Sequence, residues 1–384
     1  MCLSHLRWNF VFQRPQHLLS RAAKQYRVVI FEETVGNGTI TEPRITYTEY
    51  PEGVTVALPE LPWGMTDAEV LAAHRRLFEE LIEREGRPRV LWFYTPMAME
   101  FSDSVDADIV VFDKMDELAA FKGAPPPIVA FETRLLERAD VVFTGGQSLF
   151  EAARDRHSNV HAFPSSVDVA HFAQARAGAV PDPQDQSSIG RPRIGYFGVI
   201  DERLDIELVR RTAELKPDWQ FVMIGPVIKI DPVALPKLPN IHWLGAKDYR
   251  ELPAYLAHWD VGFMPFALNE ATRFISPTKT PEFLAAGLPV VSTAIRDVVR
   301  PYGEKGFVEI AATADGTVRG IEKVLSRPKE AWASEVDQHL ATMSWDQTWS
   351  GMNALMVKAL ELHDGAAADG RAPASFNPGE VAHV

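Results

Sequence analysis

The stretch from Asn269 to Thr293, NEATRFISPTKTPEFLAAGLPVVST, gathers side chains that could hold a phosphate. A polar loop carries Glu270, Arg273, Ser276, Thr278 and Lys279 into a short apolar segment that Pro281 opens and Gly287 stops, which predicts a helix. Backbone N–H groups and the helix dipole favour an anion at such a start, and Lys279 adds a compact positive charge. Glu282, in the first turn, could accept both hydroxyls of a ribose. The same acid would serve equally by neutralising the helix dipole, so the motif alone leaves both roles open.

The elements around this stretch must hold it at the end of a strand. Pro289-Val290-Val291 reads as the next strand, and Ile194 to Phe197, Gln220 to Ile224, Ile241 to Leu244 and Val261 to Met264 read as earlier ones with helices between them. A similar alternation precedes it: strands at Arg27 to Phe31, Val54 to Val56, Arg89 to Tyr94, Ala107 to Phe112 and Val141 to Phe143, with helices at Arg14 to Tyr26, Asp67 to Arg84, Phe131 to Arg138 and Ser148 to Arg156. Alternation at this spacing predicts an α/β protein with two doubly wound parallel sheets. Met1-Cys2-Leu3 resembles the end of a strand whose start is missing.

At 384 residues two domains are expected. We expect an N-terminal Rossmann-like domain over 1–173, a linker over 174–192 rich in Ala, Gly, Pro, Asp, Gln and Ser, and a second Rossmann-like domain over 193–344. A helix over 345–363 would cross back to the first domain, with Trp345 and Trp349 buried on one face, and 364–384 reads as a disordered tail.

Composition removes several functions. A net charge of 39 − 52 = −13 argues against nucleic acid as a partner through overall charge. The single cysteine, Cys2, excludes an internal disulfide framework and suits a reducing, cytoplasmic setting. No apolar run approaches the ~20 residues that span a bilayer. Gly195-Tyr196-Phe197-Gly198 lacks the third glycine of a dinucleotide fingerprint, and no Walker loop is present.

The order YFGVID, VMIGP, NIHWLG, ELPAYLAHWDVGFMPF, PTKTPEFLAAGLPVV resembles the nucleotide-sugar half of GT-B glycosyltransferases. SHLRWNFVFQRPQHLLSR, DKMDELAAFKGAPP, TGGQSLFEAARDRH and FPSSVDVAHF extend the resemblance to bacterial family-1-like enzymes of teichuronic acid and exopolysaccharide synthesis, over residues 1 to about 363. The resemblance implies two domains facing across a cleft and a sugar donated from a nucleoside diphosphate, usually UDP, bound mainly by the second domain. The acceptor, a saccharide or lipid-linked saccharide, would be held by the first. It also implies a site in which Lys279 meets the diphosphate, Glu282 the ribose, Ser276 and Thr278 the phosphates, and Gly198 lets the backbone approach. Arg203 would add a second charge or be a solvated surface side chain, and Tyr249 would lie by the base.

Retaining members of the related group carry a glutamate eight positions before the ribose-binding one; Phe274 stands there, with Glu270 four residues further upstream. This favours an inverting transfer, which needs one general base to deprotonate the acceptor hydroxyl. A second resemblance, to inverting glucuronosyltransferases, points to Asp116 at the end of an N-domain strand. Asp113 and Glu117 compete with it, one of the three serving as a cap. His5, oriented by Asp116, is a further candidate base. Asp106-Ala107-Asp108 resembles a metal-binding D-x-D but precedes its strand, so no metal and no cofactor are expected. Arg7 to Arg14 mixes aromatics and arginines that either dock at the inner membrane face or pack on the first helix. A GT-B epimerase and a non-catalytic nucleotide-sugar-binding protein are the alternative functions.

Overall fold

A computed structural model describes residues 1–368 and divides them into two compact units: Met1–Pro164 with the chain from Asp346 on, and Ser165–Trp345. In the first, nine strands form one sheet: β1 (Cys2–Leu3), β2 (Val28–Phe31), β3 (Val35–Gly36), β4 (Arg44–Glu49), β5 (Val54–Leu61), β6 (Val90–Phe93), β7 (Ile109–Lys114), β8 (Val141–Thr144) and β9 (Val160–Ala162). Their order is β3-β5-β2-β1-β6-β7-β8-β9, with β4 antiparallel on β5 and every other pairing parallel. The runs VVIF in β2 and VVFT in β8 are buried throughout, as strands covered by helices on both faces must be.

The helices end where the sequence tells them to. Asp67–Glu85 begins on a capping box, the Thr66 amide donating to the Glu69 carboxylate at 2.8 Å, and stops at Gly86, whose φ of +87° side chains avoid. The first helix, Arg14–Ala22, is capped by the Gln13 amide donating to Gln16 Oε1 at 3.0 Å. It ends four residues before Tyr26, the expected end.

The second unit is a six-stranded, all-parallel sheet: β10 (Arg193–Phe197), β11 (Gln220–Ile224), β12 (Ile241–Gly245), β13 (Val261–Met264), β14 (Val290–Ser292) and β15 (Val308–Ile310), in the order β12-β11-β10-β13-β14-β15. Each sheet reverses its strand order once, between β1 and β6 in the first unit and between β10 and β13 in the second. Ligands of open α/β sheets bind beyond the strand carboxyl ends at these reversals.

Three domain boundaries differ from expectation. The units part at Pro164, not at 173, because the helix Val169–Ala173 packs in the second unit, where Phe172 is fully buried and stacks on Phe197 at 6.1 Å. Segment 174–192 is not a free linker. Gln186 is buried and accepts from the Trp259 indole at 2.6 Å, while the buried Arg193 donates to Asp182 at 2.8 Å and to the carbonyls of Gln186 and Ile189. Its polar composition hid this, since the packing runs through backbone carbonyls that any residue supplies.

The last helix is longer than expected, Trp345–Ala368, so Asp364 to Ala368 is helix and not tail; the rest of the expected tail lies outside the described residues. Trp345 and Trp349 are both buried, and from Asp346 the helix belongs to the first unit. There Arg21 holds Asp346 at 2.8 Å and Tyr26 donates to Asn353 at 2.7 Å. No described helix is long and apolar enough to cross a membrane.

Candidate active site

In the second unit the strand reversal brings two loops together. The loop leaving β10 begins at Gly198 and pairs Ile200 with Val227 beyond β11 and Leu204 with Phe266 beyond β13. Gly198 sits at φ +134°, a backbone conformation side chains rarely adopt, and the end of the Lys279 side chain lies against it, Nζ 2.6 Å from where a Cβ would stand. Gly225, at φ +146°, presses its backbone on the Gly198 carbonyl, where a Cβ would overlap. Lys279 thus lies along the glycine loop, its Nζ 5.9 Å from the Tyr196 ring centroid and 6.0 Å from that of Phe197. It opens the helix Lys279–Ala285, two residues earlier than Pro281 suggested.

Glu282 is buried on that helix. Burial pushes its pKa up to about 7, against the opposing pull of the Lys279 charge and a hydrogen bond with the Thr278 side chain. A buried acid poised near neutrality beside a lysine is the kind of perturbed group that clusters at functional sites. Thr278 therefore meets Glu282 itself, while the Ser276 carbonyl accepts from Ser165 Oγ at 2.6 Å. Arg203 is clamped by Asp201, a buried carboxylate that accepts from Arg203 Nε at 3.0 Å and from Nη2 at 2.7 Å. Its charge at the loop is therefore shared with an acid, and it is not the solvated side chain the sequence allowed.

Tyr249 stacks on His171, rings 4.3 Å apart and 11° from parallel, and its carbonyl accepts from His171 Nε2 at 3.0 Å. Glu270 is not gathered in: its side chain is 78% exposed, with Arg273 at 3.7 Å. Phe274 lies beneath the Arg273 guanidinium at 5.1 Å.

In the first unit the expected acids separate sharply. Asp113, the next-to-last residue of β7, is fully buried and takes Arg14 in a bidentate pair, from Nε at 3.0 Å and Nη2 at 2.9 Å; Arg14 also donates to the Phe163 carbonyl at 2.7 Å. Burial pushes the Asp113 pKa up while Arg14 draws it down. Sealed in this pair, Asp113 cannot meet an acceptor hydroxyl, which corrects its place among the candidate bases. Glu117 is likewise committed, to Lys114 at 2.9 Å, a buried lysine that also holds Glu132 at 2.5 Å.

Asp116 is half-buried, just past the carboxyl end of β7. Gly145 fixes that turn, because a Cβ there would lie 2.7 Å from the Met115 carbonyl oxygen. His5 follows β1 and is also half-buried, bracketed by Ser4 Oγ, which accepts from the Leu6 amide at 3.0 Å. β6 stands between β1 and β7, so their ends are about 10 Å apart at the usual strand spacing. The sheet thus sets His5 and Asp116 in loops on the same edge.

Asp106 and Asp108 are occupied by arginines: Arg87 holds Asp106 at 2.7 Å and Arg89 holds Asp108 at 2.6 Å. Asp108, His363 and Asp364 lie close enough to share a cation, yet Arg89 also spans Asp108 to Asp364, at 3.0 Å.

Sequence reasoning missed Asp201, Gly225 and Arg14. Gly225 was signalled by its place after the strand VMI; the other two look like ordinary surface charges until their partners are known.

The fold is that of GT-B glycosyltransferases. An α,α-trehalose-phosphate synthase (UDP-forming) from Burkholderia xenovorans superposes with a TM-score of 0.68 at 15% identity, over 92% of this chain and 99% of that one. HepE from Anabaena, in complex with UDP and glucose, gives 0.63 at 13% identity, over 93% and 99%. Residues 191–327 match the sequence family described as glycosyl transferases group 1. A protein of Bacillus subtilis (strain 168) described as "Putative teichuronic acid biosynthesis glycosyltransferase TuaH" is 29% identical over 284 residues, 68% of this chain and 70% of that protein. The chain therefore has the GT-B fold, and residues 191–327 of its second unit carry a glycosyl transferases group 1 domain.

Proposed function

We propose that the protein transfers a sugar from a nucleoside diphosphate sugar, UDP being the favoured nucleotide, to a hydroxyl of a saccharide or lipid-linked saccharide of cell-envelope or exopolysaccharide synthesis. The observation that carries the donor half is Lys279 lying along Gly198 beside the buried Glu282. In this reading Lys279, with Arg203, neutralises the diphosphate as it leaves, and Glu282 accepts the ribose hydroxyls. Support for UDP comes from the UDP held by HepE, and for the acceptor class from the description of TuaH.

Transfer is inverting and independent of metal and cofactor. Phe274 in place of a sugar-binding glutamate supports the first, and Asp116 then acts as the base that takes the acceptor proton. A lysine and an arginine in the role a divalent ion would play support the second. The exposed Phe10 and Phe12, beyond β1, support contact with a membrane surface where a lipid-linked acceptor would lie.

Calorimetry with UDP-, GDP- and dTDP-sugars tests the reading. Binding of UDP-sugars alone, with turnover unchanged in EDTA, is expected; tighter binding of another nucleotide, or activity lost to EDTA and restored by manganese, overturns the corresponding part.

A further inference from the structure

Trp63 is the most exposed large apolar side chain among the described residues, 77% accessible. It follows β5 on the carboxyl edge of the first sheet, the edge that also carries His5 and Asp116. It is not a loose side chain. Its indole lies against two glycines, the five-membered ring over Gly36 at the end of β3 and the six-membered ring over Gly38 in the turn that follows. A Cβ on Gly36 would come within 3.0 Å of the ring, and one on Gly38 within 2.8 Å. The intervening Asn37 is tied down: its amide donates to the Leu61 carbonyl at 2.7 Å, and its side chain donates to Glu60 at 3.1 Å and accepts from Thr39 Oγ1 at 2.7 Å. Glu60 is braced in turn by Arg44 at 2.6 Å and Thr46 at 2.9 Å. One face of the indole therefore rests on a braced glycine bed, and the other is open to solvent.

We infer that Trp63 is a stacking platform for a sugar ring of the acceptor, remote from the reacting hydroxyl. A flat aromatic held on one face loses little entropy on binding. Its negative π face attracts the weakly positive C–H face of a pyranose, while the ring hydroxyls stay in water. A solitary ring suits one sugar better than it suits a protein partner, which needs a clustered apolar patch.

Four strand steps separate β5 from β7, about 19 Å at the usual spacing, so a single hexose cannot touch Trp63 and react near Asp116, whereas an oligosaccharide can. The acceptor is accordingly a chain of several sugars. This inference rests on the reading that the first unit holds the acceptor.

The test uses the full chain labelled with 5-fluorotryptophan, whose nine tryptophans give fluorine signals that Trp63→Phe assigns. Gluco-, manno- and N-acetylglucosamine saccharides, from single sugars to longer chains, are titrated, with anionic phospholipid vesicles in parallel. Longer saccharides are expected to move the Trp63 signal while single sugars do not. Trp63→Ala and Gly38→Val should weaken that binding about five- to tenfold. UDP-glucose hydrolysis without acceptor should be unchanged in both variants. A signal moved only by vesicles, or by no saccharide, overturns the platform. A signal moved by a saccharide that is never glycosylated leaves the platform standing and overturns the acceptor reading instead.

Discussion

The carboxyl edges of the two sheets handle buried charge in opposite ways. In the second unit, Glu282 is buried beside one lysine, and burial wins, leaving the acid near neutrality. In the first, burial also raises the Asp113 pKa, but its carboxylate is gripped by Nε and Nη2 of Arg14, and its neighbours Lys114 and Glu132 are closed into a network that Arg156 extends at 2.6 Å. Burial pushes the Glu132 pKa up, but Lys114 and Arg156 outweigh it and hold the acid below its ordinary value. A saturated buried pair adds rigidity and has nothing to offer a ligand, whereas an acid with one cation beside it has capacity left for donors such as ribose hydroxyls. Depth of burial is therefore a poor guide to function here; the number of partners is the better one.

The largest expected effect tests whether Asp116 and Asp113, three residues apart, divide catalysis from structure. Asp116→Asn should lower sugar transfer about 10²- to 10⁴-fold, the usual worth of a general base, with UDP binding and thermal stability unchanged. Asp113→Asn should do the reverse, leaving Arg14 buried with half its partner and costing about 3–5 kcal/mol in a denaturant melt. Loss of stability in the first variant, or a stable but inactive second one, would exchange the two roles.

On the donor side, the contrast is between Lys279 and Arg203. Lys279→Ala should reduce kcat about 10²- to 10³-fold, as removal of a single transition-state charge partner does. Arg203→Ala should cost about tenfold or less, because Asp201 already takes both of its donating arms. Steady-state kinetics with one UDP-sugar and one acceptor decide it, and equal losses would mean that Asp201 positions Arg203 without sharing its charge.

How legible each half was follows from how far apart its parts lie in the chain. Ser276, Thr278, Lys279 and Glu282 occupy one turn and its approach, so their types and spacing suggested a phosphate site before any strand was placed. Gly198 entered through a motif, and only the structure shows the end of the Lys279 side chain lying against it. The acidic cluster after β7 was visible, but three acids in five residues are equivalent on paper. Asp113 is marked by Arg14, 99 positions away, and Lys114, the partner of Glu117, by Glu132 on a later helix, long-range pairs that carry no local signal. The alternation of strands and helices gave both parallel sheets. The antiparallel β4 and the edge strand β3 escaped because edge strands are short and polar.

The smallest effect sharpens the description of Glu282. Burial pushes its pKa up to about 7 from the ordinary 4.5, so the free protein keeps this proton to higher pH than an exposed acid would. Ribose hydroxyls donate to a carboxylate, so donor binding favours the ionised form. The sign follows: below pH 7 binding must first remove a proton, so affinity for UDP-glucose should fall by up to tenfold per unit as pH drops, and should level off above pH 8. The diphosphate diester has no group that titrates near neutrality, so the proton belongs to the protein. Titrations at pH 6.5 in two buffers of different ionisation enthalpy should therefore show proton release on binding. Glu282→Gln should abolish that release and flatten the profile. It should also stabilise the ligand-free protein above pH 7, where the native state has given up the proton it preferred to keep. An affinity that rises as pH falls would show instead that the neutral carboxyl is the binding form, donating its own proton to the ligand.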